Sequence, residues 1–186
     1  MEKKKKRILS ILVCVALAWS CLLGLAGCAG RPADKDKDGA KEPAEQTYHV
    51  TLFFENEKYI DSGDESLEKF MVYQDKLTAK PEEVYKKALE QLRTPPDKGY
   101  GTEITDKTKF NDVYLKGDTV YVDLSSDGLN GGSLEETFLI SQIVDTLINS
   151  FDKVKQVQFL VDGKTAETLM GHIGTKDPFI KDLFTE

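Results

Sequence analysis

The stretch "SLEETFLISQIVDTLINSFDKVKQVQFLVDG", residues 133–163, changes its periodicity part-way along. Ile140, Ile143, Val144, Leu147, Ile148 and Phe151 recur at steps of three and four, the spacing of an α-helix with one apolar side. Ser133 stands at its start with Glu136 three residues on, the pattern of a capping box in which side chains satisfy the free amides of the first turn. After Asp152 and Lys153 the period becomes two. Val157, Phe159 and Val161 share one face of a strand that ends in an Asp162-Gly163 turn. A stripe so wide and apolar must cover a sheet, and this strand belongs to that sheet.

Working upstream, Phe110–Leu115 and Thr119–Leu124 flank "KGD" at 116–118, a hairpin signal that turns Val120, Val122 and Leu124 inward. Nearer the start, Tyr48, Val50, Leu52 and Phe54 alternate with His49, Thr51 and Phe53. The polar loop "ENEKYIDSGDES" follows, and Phe70–Tyr73 reads as a second strand. Pro81 with Glu82 and Glu83 opens a helix whose Val84, Ala88, Leu89 and Leu92 lie on one side, before Pro95 and Pro96 end it. The order strand, strand, helix, strand, strand, helix, strand predicts an α+β fold. The expected form is a single two-layer domain, with a mixed or antiparallel sheet of about five strands and two main helices on one face.

The first 27 residues have another character. Lys3 to Arg7 form a basic head, Ile8 to about Ala26 an apolar run, and small residues follow, the parts of an export signal. Leu25, Ala26, Gly27 and Cys28 resemble a bacterial lipobox. That resemblance implies signal-peptidase recognition of Leu25-Ala26-Gly27, cleavage before Cys28 and a diacylglycerol on its thiol. An uncut membrane anchor is the other reading of the same run. Both place the rest of the chain at the extracytoplasmic face of the cell membrane, and two acyl chains would hold it durably.

Cleavage removes five basic residues and one acidic residue, leaving 20 Lys plus Arg against 31 Asp plus Glu, a side-chain sum of −11. An acidic body argues against nucleic acid as a partner. The three cysteines, Cys14, Cys21 and Cys28, lie in or at the end of the leader, so the mature chain has no thiol free for a disulfide, a nucleophile or a metal. "DKDKDGAKEPAE", residues 34–45, has the acidic spacing of a calcium loop. Lys41 stands where that motif needs an apolar residue, and Pro43 interrupts the exit helix. Residues 28–47 read instead as the lipidated cysteine and a flexible charged tether, with the folded domain at 48–186.

Signals for catalysis are sparse. Only His49 and His172 are present, and no Gly-x-Ser-x-Gly elbow occurs. "DGLNGG", 127–132, lacks the Lys-Ser/Thr end of a phosphate loop, so its glycines read as turning the chain into the Ser133 helix. Asp123, Asp127 and Asp162 could act as an acid/base pair only if the fold gathered them around a cleft. No cofactor or metal is expected.

Residues 120–179 resemble the second half of a GerMN domain, a family named for a spore germination protein. The likeness rests on "VDLS" at 122–125, "GGS" at 131–133, "VQFLVDGK" at 157–164 and "GHIGTKDPF" at 171–179. A looser likeness in "VTLFFEN" and "TEITDKTKFNDVYLKGDTVYVDLS" extends it to about 48–180, with departures at "LRTPPD" and "FMVYQDKL". The motif positions carried over, without an assigned role, are Asp123, Ser125, Gly131, Gly132, Ser133, Asp162, Gly163, His172 and Pro178. The resemblance implies a lipid-anchored envelope protein of mostly Gram-positive, often spore-forming bacteria, with no established catalytic residues. It also implies a fold like the small modules that build rings in secretion and sporulation complexes. The expected function is a non-catalytic interaction module in sporulation, germination or wall-related assembly. Its partners would be the membrane, through Cys28, and an envelope protein or another copy. A solute- or glycan-binding lipoprotein and a wall-active enzyme are the alternatives.

Overall fold

Strand β1, Gln46–Asn56, is the spine of the structure and starts two residues before the expected domain boundary. The computed structural model describes residues 43–181; the leader, Cys28 and most of the tether lie outside them. β1 is followed by a short helix α1, Glu57–Ser62, and by β2, Phe70–Ala79, which pairs with β1 antiparallel over ten consecutive positions from Gln46↔Ala79 to Glu55↔Phe70. Helix α2, Val84–Gln91, and the two-residue strand β3, Tyr100–Gly101, come next. Then come β4, Phe110–Lys116, and β5, Thr119–Leu124, joined by the expected tight hairpin with Gly117 at φ 69°. Helix α3, Ser133–Ser150, crosses over to β6, Gln156–Val161, and β7, Phe179–Ile180, closes the chain's last pairing.

The fold class is α+β, as the pattern predicts, but the strands form two sheets where one was expected. The first has the order β2-β1-β3 and the second β4-β5-β6-β7. β5 and β6 run parallel, in register from Thr119↔Gln156 to Leu124↔Val161, because α3 carries the chain back to the starting end. Most of the inward residues are the expected ones, although Ile148, Phe151 and Val161 are only half-buried. Val120, Val122, Leu124, Val157 and Phe159 are fully buried, as are Leu89 and Leu92 of the α2 segment and Ile140, Ile143 and Leu147 of α3.

The reason for two sheets lies in α3. Its apolar side closes the core, yet Gln142 and Thr146 are fully buried too. With Ser150 they form a polar stripe at helical spacing that lies against the edge of β1. Ser150 Oγ accepts from Thr51 N at 2.9 Å and donates to Thr51 O at 3.2 Å. Thr146 Oγ1 accepts from Phe53 N at 3.1 Å, and Gln142 Nε2 donates to Phe53 O at 3.1 Å. These side chains supply the pairing that another strand would have supplied, so β1 stops being available to the second sheet. The sequence expectation of a purely apolar helix stripe covering one sheet is corrected accordingly.

Replacing Thr146 with Val keeps the side-chain shape and removes the acceptor for the Phe53 amide. We expect it to lower unfolding free energy by ~1–3 kcal/mol in urea titrations at constant m-value. Thr137→Val, whose hydroxyl only caps the Ser133 carbonyl within the helix, should change it by less than ~0.5 kcal/mol.

Candidate functional site

The start of α3 is where the structure gathers most of the singled-out residues. The expected Ser133 cap is displaced by one position: Gly132 is the N-cap, and Glu135, three residues on, accepts from Gly132 N at 3.0 Å. Glycine has no side chain to return the bond, so only half of a capping box exists. Glu136, freed from that role, is fully buried. Its Oε1 accepts from Leu169 N and Met170 N, both at 2.8 Å, and its Oε2 from His172 N at 2.7 Å and Ile173 N at 3.2 Å. Four backbone donors wrapped round one carboxylate, beside the positive end of a helix, compensate for its burial. This bond set ties the 164–178 loop to the helix. His172 contributes its backbone, while its side chain is exposed, as is Pro178.

A second knot joins the ends of β5 and β6. Asp123 Oδ1 accepts from Gly163 N at 2.8 Å. Asp162, left-handed at φ 49°, donates its amide to Leu124 O at 2.9 Å and accepts from Ser126 N at 3.3 Å. Hydrogen bonds from Ser126 hold its carboxyl below the usual range. Ser125 Oγ accepts from Asp127 N at 3.2 Å. The structure therefore brings Asp123, Asp162 and Gly163 into one turn-locking network, while Ser125 holds the Asp127 amide and the Asp127 carboxylate pairs with Lys109.

Of the "DGLNGG" glycines, Gly128 turns the chain as expected, while Gly132 is extended and Gly131 lies outside the left-handed region; the reason at Gly128 is contact as well as conformation. Gly128 has φ 99°, and a Cβ there would stand 2.3 Å from Lys107 O. This close approach forms one wall of an open cleft of about 390 Å³ between the 103–108 loop, the approach to α3 and Met170. Arg93 pins the loop by donating to the carbonyls of Thr105 and Thr108 while pairing with Glu90, its guanidinium 5.4 Å from the Phe110 ring.

Beside that cleft lie acids that sequence reasoning did not single out. Glu55, at the end of β1, is only 7% exposed, and its Oε1 is buried with no hydrogen-bond partner among the described residues. Burial first, and then the charge of Glu103, push its carboxyl up to about 8, with Glu135 and Glu57 adding to the effect and a backbone hydrogen bond at Glu103 opposing it. Burial and Glu135 also raise Glu103. A glutamate in the tail of an alternating strand carries no sequence signal for such an environment. Among the described residues no group of His, Cys, Asp and Glu side chains is arranged to hold a metal ion.

Together these features define a two-sheet α+β module in which motif residues hold loops against the start of a buried helix. The family model described as "Sporulation and spore germination" matches residues 51–167, and the chain belongs to that family. The first GerMN domain of the sporulation protein GerM from Bacillus subtilis is similar in fold, at 19% identity and a TM-score of 0.51, over 72% of this chain and 93% of that one. The tandem GerMN domains of the same protein align at 20% identity and a TM-score of 0.42, over 74% of this chain and 45% of that one. A presumed lipoprotein from Clostridium perfringens aligns at 20% identity and a TM-score of 0.48, over 73% and 88%. No curated relative matches the chain.

Two outcomes follow from the acids. Glu136→Gln puts an amide donor among four donors, and we expect at least ~1.5–3 kcal/mol of destabilisation, with faster protease cleavage within 164–178. Glu55 binds its proton more tightly folded than unfolded, so its contribution to stability is full below about pH 4.5 and is lost as pH rises through about 8. Glu55→Gln should flatten that fall, and in melting curves from pH 5 to 9 its advantage over the parent should grow on the alkaline side to the order of a few kcal/mol.

Proposed function

We propose that the chain is a non-catalytic, lipid-anchored interaction module of the cell envelope, acting in protein assembly during sporulation, germination or wall remodelling. The observation that carries the reading is family membership across residues 51–167, together with what the structure does with the motif positions. Asp123, Asp162 and Glu136 spend their carboxylates on backbone amides. Carboxylates held in this way position loops and are not free to exchange protons with a substrate. Acylation of Cys28 would confine the module to the membrane plane, and the tether would set its reach, raising the effective concentration of a weak partner.

The surface best suited to a partner is β2. It ends its sheet, so among the described residues its outer edge has no strand beside it, and it exposes Val72 and Tyr73 at 49% and 38%. An edge of ten residues is a ready template for strand addition by an envelope protein or another copy.

Two measurements check this. Cys28→Ser should move the protein out of the membrane fraction and abolish fatty-acid labelling. A photocrosslinker at Val72 should capture a defined protein neighbour in membranes, whereas one at exposed Lys116, on the other sheet, should not. Capture of nothing at Val72, or turnover of purified wall abolished by a carboxylate substitution, would overturn the reading.

A further inference from the structure

The edge of β2 has a charge pattern as well as a length. Thr51 and Phe53 direct their peptide groups at α3, so it is pairs such as Val50↔Asp75 and Leu52↔Tyr73 that exchange backbone bonds between β1 and β2. The outward peptide groups of β2 therefore belong to Phe70, Val72, Gln74, Lys76 and Thr78. Asn56 extends the same register past the start of the strand, donating its amide to Lys69 O at 3.0 Å and its side chain to Glu68 O at 2.8 Å. Glu68 O is thereby occupied, and at the other end Asp75 Oδ1 accepts from the Lys76 amide at 2.7 Å. Between these two closed positions Phe70, Val72 and Gln74 stay open, since among the described residues no strand lies on that side of β2.

A two-fold axis makes two copies of one edge antiparallel, and their outward peptide groups must face each other. Such a pairing sets one residue opposite its own copy. Asp75 or Lys76 in that position would place like charges face to face, which is destabilising. With Gln74 or Tyr73 there, both charges fall opposite Val72, Tyr73, Phe70 or Met71. With Val72 there, Lys69 faces Asp75 of the second copy and Glu68 faces Lys76, each twice by symmetry. Phe70 then lies across from Gln74, Met71 across from Tyr73, and the two Val72 side chains meet at the centre. None of these four charged side chains is in an ion pair among the described residues, and Val72 and Tyr73 are 49% and 38% exposed.

We propose that β2 pairs with β2 of a second copy of this chain, antiparallel about a two-fold axis at Val72, joining two three-stranded sheets into one. The inference rests on the interaction role above and commits its edge to one occupant. The ladder is short, about six backbone hydrogen bonds, so confinement to the membrane plane supplies the effective concentration that it needs. The contact uses both edges at once and therefore closes at two copies instead of growing into a filament.

The test uses the full chain carrying either of two tags, co-expressed, with a photocrosslinker at Val72 and membranes as the sample. The parent should give an adduct of twice the chain mass that contains both tags. Lys69→Glu alone and Asp75→Lys alone should each lower that adduct at least ~10-fold, because like charges then face each other at two positions. Expressed together, one variant per tag, they should restore the adduct between tags but not within a tag, since the introduced glutamate faces the introduced lysine and the native Lys69 faces the native Asp75. Glu68→Lys with Lys76→Glu repeats the exchange at two exposed positions, so a folding defect in Asp75→Lys does not decide the result. Adducts indifferent to the single substitutions, or no rescue in either mixed pair, would overturn the two-fold pairing. A Val72 adduct with a different protein and none between tags would overturn the second copy while leaving β2 an interaction edge, and no adduct of any kind would overturn both.

Discussion

The open edge of β1 is the constraint around which this molecule is organised. A central strand must satisfy both rows of its backbone groups, and here one row is met by β2 and much of the other by Ser150, Thr146 and Gln142 of α3. Gln142 then reaches further, accepting from Glu103 N at 2.8 Å, so one side chain joins the strand, the helix and the loop after β3. Burying Gln142 and Thr146 and half-burying Ser150 on a helix would be costly if any of the three were left unpaired. Paired as they are, they fix the position of α3 along β1 more tightly than apolar contact would, because hydrogen bonds specify a register and hydrophobic contact does not.

The two buried glutamates show opposite solutions to one problem. Glu136 collects four amide donors at the beginning of a helix, whereas Glu55 has an oxygen without a partner and other carboxylates around it. The first organises the 164–178 loop. The second makes the junction of β1, β3 and the 103–108 loop sensitive to protonation. Gly101 leaves little room for adjustment there, since a Cβ on it would stand 3.0 Å from Glu55 Oε2.

How far the fold can be read in the residues follows from what periodicity encodes. Alternation in β1, β5 and β6 identifies inward faces, and Val50, Val122 and Phe159 are buried as their positions require. It does not encode which strand lies beside which, so the division into two sheets is invisible until α3 is seen to occupy an edge. Thr146 and Gln142 look like tolerated polar residues in an apolar helix. Only their 3.6-residue alignment with Ser150 hints at a shared task. The cap shows the same limit: Ser133 with Glu136 and Gly132 with Glu135 both fit the spacing, and packing of the 169–173 backbone round Glu136 decides between them. α1, β3 and β7 are too short to have a period. The turn-forming roles of Gly163 and Gly128 were legible; the environments of Glu55 and Glu103 were not, since each depends on neighbours distant in the chain.

The helix-to-strand ladder also determines how this protein can breathe. Amides at Thr51 and Phe53 are shielded by side chains on α3, so they can meet solvent only when that helix lifts away from the edge. Since α3 also packs into the core beneath the second sheet, lifting it disrupts both sheets together. The smallest opening of the spine is therefore close to global unfolding, and the two sheets form a single cooperative unit despite sharing no strand.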